Sequence, residues 1–154
     1  MAQLAEGMRA PLFSGTGHDG KNVSLADYRG KKVVLYFYPQ DDTEACTREA
    51  CNLRDNYTEL NKEGFVILGV SPDSEKSHND FRKKYSLPFT LIADPEMKII
   101  KRYGLFGKKM LYGREVTGVL RTTFVINEKG IIENIIRRVT TSAHTQQIFK
   151  FYEK

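Results

Sequence analysis

Two short apolar runs, residues 33–38 (VVLYFY) and 65–70 (FVILGV), constrain most of what this chain can become. Both are rich in β-branched and aromatic residues and too short for core helices, as expected of strands covered on both faces. Between them Cys46, Ala50, Leu53, Tyr57 and Leu60 recur at spacings of four, three, four and three, which predicts one amphipathic helix over residues 44–62. Strand, helix, strand at this length is a parallel βαβ unit with a right-handed crossover. With 154 residues, 40% hydrophobic and 28% charged, the chain has apolar side chain for one core, and a single domain over residues 1–154 is expected.

The rest of the pattern extends that unit. A second helix is predicted over residues 74–85 and a strand over 89–93, set off by Leu87 and Pro88. A short helix has its punctuation written out, with Asp94 as N-cap, Pro95 at the first position and Gly104 just past the end. Residues 122–127 and 131–139 flank Glu128-Lys129-Gly130 as a hairpin, and a terminal helix over 142–152 turns Ile148, Phe149 and Tyr152 inward. The class is α/β, a mixed central sheet flanked by helices. Residues 15–20 (GTGHDG) fit G-x-G-x-x-G, but the next residues, 21–25 (KNVSL), form a short strand-like stretch rather than a helix, so the glycines read as the turn of an N-terminal β-hairpin. Met110, Leu111 and Tyr112 fall in an expected loop that could cover the pocket or a partner surface, and burial within the monomer is the expectation for them.

Several function classes drop out. Residues 1–13 are broken by Glu6, Gly7, Arg9 and Pro11, and nowhere do roughly 18 apolar residues run together, so neither a leader nor a membrane span is expected. The net charge is +5, yet the densest basic stretch, Lys98 to Arg114, lacks an aromatic ladder or finger spacing and reads as solvated surface, not a nucleic-acid patch. Two cysteines five positions apart make no disulfide scaffold, so a cytoplasmic chain whose thiols do chemistry is expected.

The chemistry concentrates in Pro39-Gln40-Asp41-Asp42-Thr43-Glu44-Ala45-Cys46, with Cys51 further on. The segment sits where the first long strand gives way to its helix, at the carboxyl edge of the sheet, where open α/β folds place their sites. Thr43 as N-cap puts Cys46 in the first helical turn, near unpaired N–H groups and the positive end of the helix dipole, where a thiolate is stabilised. The competing reading is an inert core cysteine on the apolar stripe. Cys-x4-Cys could be half a metal site, but His18, His78 and His144 are far apart in sequence and show no His-x3-5-His pair, so a metal is not expected.

These residues carry a resemblance. The stretch from Tyr36 through Pro39, Thr43, Cys46 and Cys51 is similar to the Pro-x-x-x-Thr-x-x-Cys site of peroxiredoxins, and the cysteine spacing resembles that of their bacterioferritin-comigratory, or Q-type, subgroup. The likeness runs on through residues 69–73 (GVSPD), 85–89 (YSLPF) and 121–126 (RTTFVI). It implies a thioredoxin-like fold and a thiol peroxidase that needs no cofactor, reduces hydrogen peroxide and organic hydroperoxides, and is recycled by thioredoxin or a similar dithiol. By position, Cys46 would be the peroxidatic thiolate and Cys51 the resolving thiol. Thr43 would hydrogen-bond thiolate and peroxide, Pro39 would shield the pocket, and Arg121 would hold the thiolate and polarise the peroxide. A monomer or weak dimer is expected. Glu44 and Ala45 depart from the commonest Thr-Pro-Gly-Cys, and the Glu44 carboxylate opposes a thiolate nearby. Two rivals remain: a thiol-disulfide exchanger, whose usual Cys-x-x-Cys is missing, and a non-enzymatic peroxide sensor on the same fold.

Overall fold

The computed structural model describes residues 3–152, so Met1, Ala2, Glu153 and Lys154 of the expected domain lie outside the described residues. The chain opens with β1 (Ser14–Gly17) and β2 (Asn22–Ser24), an antiparallel hairpin whose turn is the Gly-rich 17–20 segment, with Gly20 at φ 81°. β3 (Lys32–Phe37), α1 (Glu44–Asp55), α2 (Tyr57–Lys62) and β4 (Phe65–Ser71) form the expected parallel βαβ unit, and α3 (Glu75–Tyr85) leads to β5 (Thr90–Ala93). After α4 (Lys98–Arg102) come the hairpin β6 (Phe106–Leu111) and β7 (Arg114–Val119), then the hairpin β8 (Thr122–Ile126) and β9 (Ile132–Ile136), and finally α5 (His144–Lys150). One seven-stranded mixed sheet runs β2-β1-β5-β4-β3-β8-β9, while β6 and β7, among the described residues, pair only with each other.

β3 shows why this sheet needs helices on both sides. Val33, Leu35 and Phe37 point into one core with Ile99 and Ile100 of α4, and Val34, Tyr36 and Tyr38 into the other, with Ala50 and Leu53 of α1, Leu60 of α2, Phe81 of α3 and Ile148 of α5. A fully buried side chain of this size is worth about 1.5–3 kcal/mol relative to exposure, so either face left bare would forfeit several such terms. Gly69 lies opposite Tyr36 in the β3–β4 ladder, and a Cβ there would sit 2.8 Å from the Tyr36 ring, so the aromatic occupies the space a side chain would take.

Four expectations need correction. The predicted 44–62 helix is two helices. The Asn56 side chain donates to the Asn52 carbonyl at 2.8 Å while its own N–H bonds the same oxygen at 3.3 Å, a local competition that breaks the helical run. Asp94 does not cap a helix starting at Pro95. Met97 turns left-handed at φ 57°, the helix begins at Lys98, and the Asp94 carboxylate instead accepts the Ile100 N–H at 2.8 Å. Gly104 does end that helix with a positive φ of 72°. The terminal helix is α5 preceded by a 3-10 turn (Thr141–Ala143), and its most deeply buried residues are His144, Thr145 and Ile148, whereas Tyr152 stays partly exposed. Met110, Leu111 and Tyr112 are not buried. They cap a hairpin that pairs only with itself, and Tyr112 is 96% exposed.

Candidate active site

Thr43 is the N-cap residue of α1, with extended backbone at φ −83° and ψ 157°, and Cys46 sits in the first turn with its side chain buried. The loop that sets this turn is pinned from two sides. Asp41 accepts hydrogen bonds from Tyr38 Oη at 2.6 Å and Ser77 Oγ at 2.8 Å and lies 2.8 Å from His78 Nδ1. Asp42, held left-handed at φ 58°, binds Lys84 Nζ at 2.7 Å and Tyr85 Oη at 2.9 Å. Such a φ is uncommon for a residue other than glycine, and the two partners on α3 keep it in place.

Arg121, just ahead of β8, reaches the thiol from 75 positions away. Its Nη2 donates to Cys46 Sγ at 3.2 Å and its Nη1 to Glu49 Oε1 at 2.6 Å. Burial works against the guanidinium charge, but Cys46 and Glu49 together raise its pKa. Neither Glu49 nor His144 is among the site residues expected from the sequence. Glu49 is fully buried one turn after Cys46, and burial pushes its carboxyl up to about 7 against the pull of Arg121. His144, also fully buried, lies with Nε2 at 3.5 Å from Glu49 Oε2, and burial holds it down at about 4.

Of the other expected residues, Thr43 donates its hydroxyl to the Gln40 carbonyl at 3.0 Å rather than capping the helix with its side chain. Pro39 is half-buried in the loop between β3 and α1. Cys51, five residues along α1, is half-buried, and burial raises its thiol pKa while Arg54 opposes the rise. Both thiols are free and α1 is continuous through them. Glu44 is 90% exposed and lies 3.3 Å from Arg48, so its charge is both solvated and paired. Lys109, from β6, binds the Val119 carbonyl at 2.9 Å, and a groove of about 500 Å³ lined by Lys109, Leu120, Arg121 and Arg138 passes beside the arginine.

Asp41, Asp73 and His78 bring ligand atoms within 4.8 Å of one another. Those atoms are already engaged: Ser71 Oγ and the Asp41 N–H donate to Asp73 Oδ2, and His78 Nε2 donates to the Ile92 carbonyl. No helix among the described residues is long and apolar enough to cross a membrane.

A thiol in a first helical turn, gripped by a guanidinium on a sheet flanked by helices, agrees with what comparison finds. Residues 7–135 match the AhpC/TSA family. The chain belongs to that family. A bcp protein of Coxiella burnetii, named as a peroxiredoxin, is 44% identical over 142 residues, covering 92% of this chain and 94% of the relative. Peroxiredoxin Bcp of Bacillus subtilis is 40% identical over 141 residues, covering 92% and 90%. Among solved structures, the bacterioferritin comigratory protein of Xanthomonas campestris superposes with a TM-score of 0.83 at 30% identity over 90% of this chain and 88% of its own. A cysteine-to-serine form of Xylella fastidiosa PrxQ gives 0.89 at 26% identity, over 97% and 96%. The peroxiredoxin fold and a thiol peroxidase activity are thereby established, and the sensor reading is not favoured.

Proposed function

We propose that Cys46 is the peroxidatic thiolate and Cys51 the resolving thiol of one domain spanning residues 1–154. The Cys46 sulfur attacks one peroxide oxygen. An S–O bond forms as the O–O bond breaks, and the departing oxygen leaves as water or an alcohol once protonated. Cys46 is then a sulfenic acid, which the Cys51 thiolate attacks to form a disulfide and release water. A thioredoxin-type dithiol returns both cysteines to thiols. The observation that supports this reading is the 3.2 Å contact from Arg121 Nη2 to Cys46 Sγ. A fixed guanidinium favours the thiolate and also offers donors for charge developing on the leaving oxygen.

Thr43 and Pro39 shape the pocket mouth in this reading. Thr43 turns its hydroxyl from the Gln40 carbonyl toward a bound peroxide. Hydrogen peroxide and organic hydroperoxides are the substrates, and the X. campestris relative is described for alkyl peroxide reduction. The protein acts in the cytoplasm as a monomer or weak dimer, without nucleic acid, membrane, metal or cofactor. The test is peroxide consumption coupled to thioredoxin and its reductase. Cys46→Ser should abolish it. Cys51→Ser should retain one stoichiometric oxidation, to a sulfenic acid that dimedone traps, and lose recycling. Normal turnover of Cys51→Ser would show that another thiol resolves Cys46.

A further inference from the structure

Glu49 Oε2 is buried and, among the described residues, has no hydrogen-bond partner, although the imidazole of His144 stands 3.5 Å away. The hydrogen-bond directions around His144 say why. Gln147 Nε2 donates to the Arg138 carbonyl at 2.9 Å, and Gln147 Oε1 accepts the Thr140 N–H at 2.9 Å, so the amide orientation is fixed. Gln147 Oε1 is therefore an acceptor toward His144 Nδ1 at 3.0 Å, and Nδ1 must carry a hydrogen. In the neutral imidazole that leaves a single lone pair on Nε2, with Thr123 Oγ1 at 2.7 Å and Glu49 Oε2 at 3.5 Å both beside it. An ionised Glu49 would then set two lone pairs against each other in a dry site, with an unsatisfied charge. One proton placed between Glu49 and His144 removes the conflict.

That proton has a consequence for the thiol. Arg121 spans Glu49 and Cys46 with its two Nη groups, so a Glu49 carboxylate and a Cys46 thiolate compete for a single positive charge. Among the described residues, the other charged and titratable groups facing these side chains are Lys109 from β6 and Tyr36 from β3, and neither stands in hydrogen-bond contact with Glu49.

We propose that His144 is a positioning residue of the peroxidase: it shares one proton with Glu49 and, by keeping that carboxyl neutral, leaves the Arg121 charge to the Cys46 thiolate. The proposal rests on Cys46 being the reacting thiol. Burial favours the same state, since it raises the Glu49 carboxyl and keeps the proton off a free imidazole.

The experiment tracks the Cys46 thiolate by ultraviolet absorbance in a Cys51→Ser background, with circular dichroism checking that each variant is folded. In His144→Gln the new amide carbonyl takes the Thr123 hydroxyl, and its N–H donates to Glu49. This fixed donor satisfies an ionised Glu49, which then claims Arg121. At the pH where half of Cys46 is ionised in the parent, the thiolate fraction should fall roughly three- to tenfold. In Glu49→Gln the competing charge is gone, and adding His144→Gln should change nothing further. A purely structural role for His144 would instead lower the double variant below Glu49→Gln. That result, or a His144→Gln thiolate fraction equal to the parent's, overturns the proposal. A measurement needing no variant keeps it falsifiable if His144→Gln does not fold. The carboxyl carbon of Glu49, observed by NMR in the reduced wild-type protein, should report a protonated acid at pH 6, and ionisation throughout pH 5–8 overturns the assignment. Neither readout requires turnover, so failure to consume peroxide would sink the peroxidase reading and leave the shared proton to be judged by these two results.

Discussion

Asn52 Oδ1 accepts the backbone N–H of Thr145 at 2.8 Å, so a side chain of α1 caps the first turn of α5. The cap position itself, Ala143, offers no side-chain acceptor. Asn52 Nδ2 also donates to the Ser142 carbonyl at 3.0 Å, and Arg48 Nε to Thr141 Oγ1 at 3.1 Å. The C-terminal segment thus grips α1 across the stretch that carries Cys51, and any unwinding of α1 there releases it.

Asn52→Ala should remove the cap on α5 and the bond to the Ser142 carbonyl at once. We expect a loss of about 1–2 kcal/mol in denaturant unfolding. Because folded α1 is weakened, disulfide formation after a peroxide pulse should be faster in rapid-mixing experiments. A slower disulfide step would mean that the segment 141–145 guides Cys51 rather than restraining it.

Glu44 should matter little to the thiol. It is 90% exposed and paired with Arg48, and an exposed charge is screened. Replacing Glu44-Ala45 by Pro-Gly, or Glu44 by Gln alone, is expected to change the Cys46 thiolate fraction less than about twofold at 0.15 M salt. A larger change confined to the Pro-Gly form would trace to backbone geometry in the first turn, since Glu44→Gln removes only the charge.

The parts of the site that were legible in the sequence are those with a local signature. Cys46 stood out through its strand-loop-helix position, and Arg121 only through resemblance, since an arginine at a strand edge is ordinarily solvated. Glu49 carried a signal that a strict apolar template passes over: it falls three residues after Cys46 and four before Leu53, on the stripe that is buried. His144 lies four residues before Ile148 on the inward face of α5, but nothing local distinguishes it from a surface histidine; its surroundings come from α1 and β8. The break at Asn56 and the left-handed Met97 escaped for another reason, because both depend on which of two hydrogen-bond partners wins, and periodicity does not record that.

Stability against pH should reveal the buried pair. Glu49 ionises near 4.5 when unfolded and about 7 when folded, so the native state binds the extra proton in that window and stability from Glu49 falls as pH rises through it. His144 ionises near 6.5 unfolded and about 4 folded, so stability from His144 rises with pH between those values. Between pH 4.5 and 6.5 the two slopes oppose. Glu49→Gln removes only the falling one. Its unfolding free energy relative to wild type is therefore expected to climb from pH 4.5 to about 7 and level off above, with the total approaching about 3 kcal/mol. A constant difference across pH 4.5–8 would mean that the Glu49 carboxyl is already ionised throughout.

Formation of the Cys46–Cys51 disulfide must take α1 apart. Five residues along an ideal helix rise about 7.5 Å and rotate about 140°, which separates the Cα atoms by roughly 8.6 Å. Ordinary disulfides span at most about 6.8 Å between Cα atoms, so the intact helix cannot hold the bond. The reduced protein has both thiols in a continuous α1, with Ala50 and Leu53 packed in the core and Asn52 tied to Ser142 and Thr145. Oxidation to that proposed disulfide is therefore expected to loosen that packing and the cap on α5. Amide exchange between Thr43 and Leu53, and across residues 144–148, should be markedly faster in oxidised than in reduced protein, with less helical circular dichroism. Asn52→Ala should narrow the difference by raising exchange in the reduced form. Equal protection of residues 43–53 in both redox states would show that Cys46 and Cys51 join without local unfolding, and the pairing itself would then have to be reassigned.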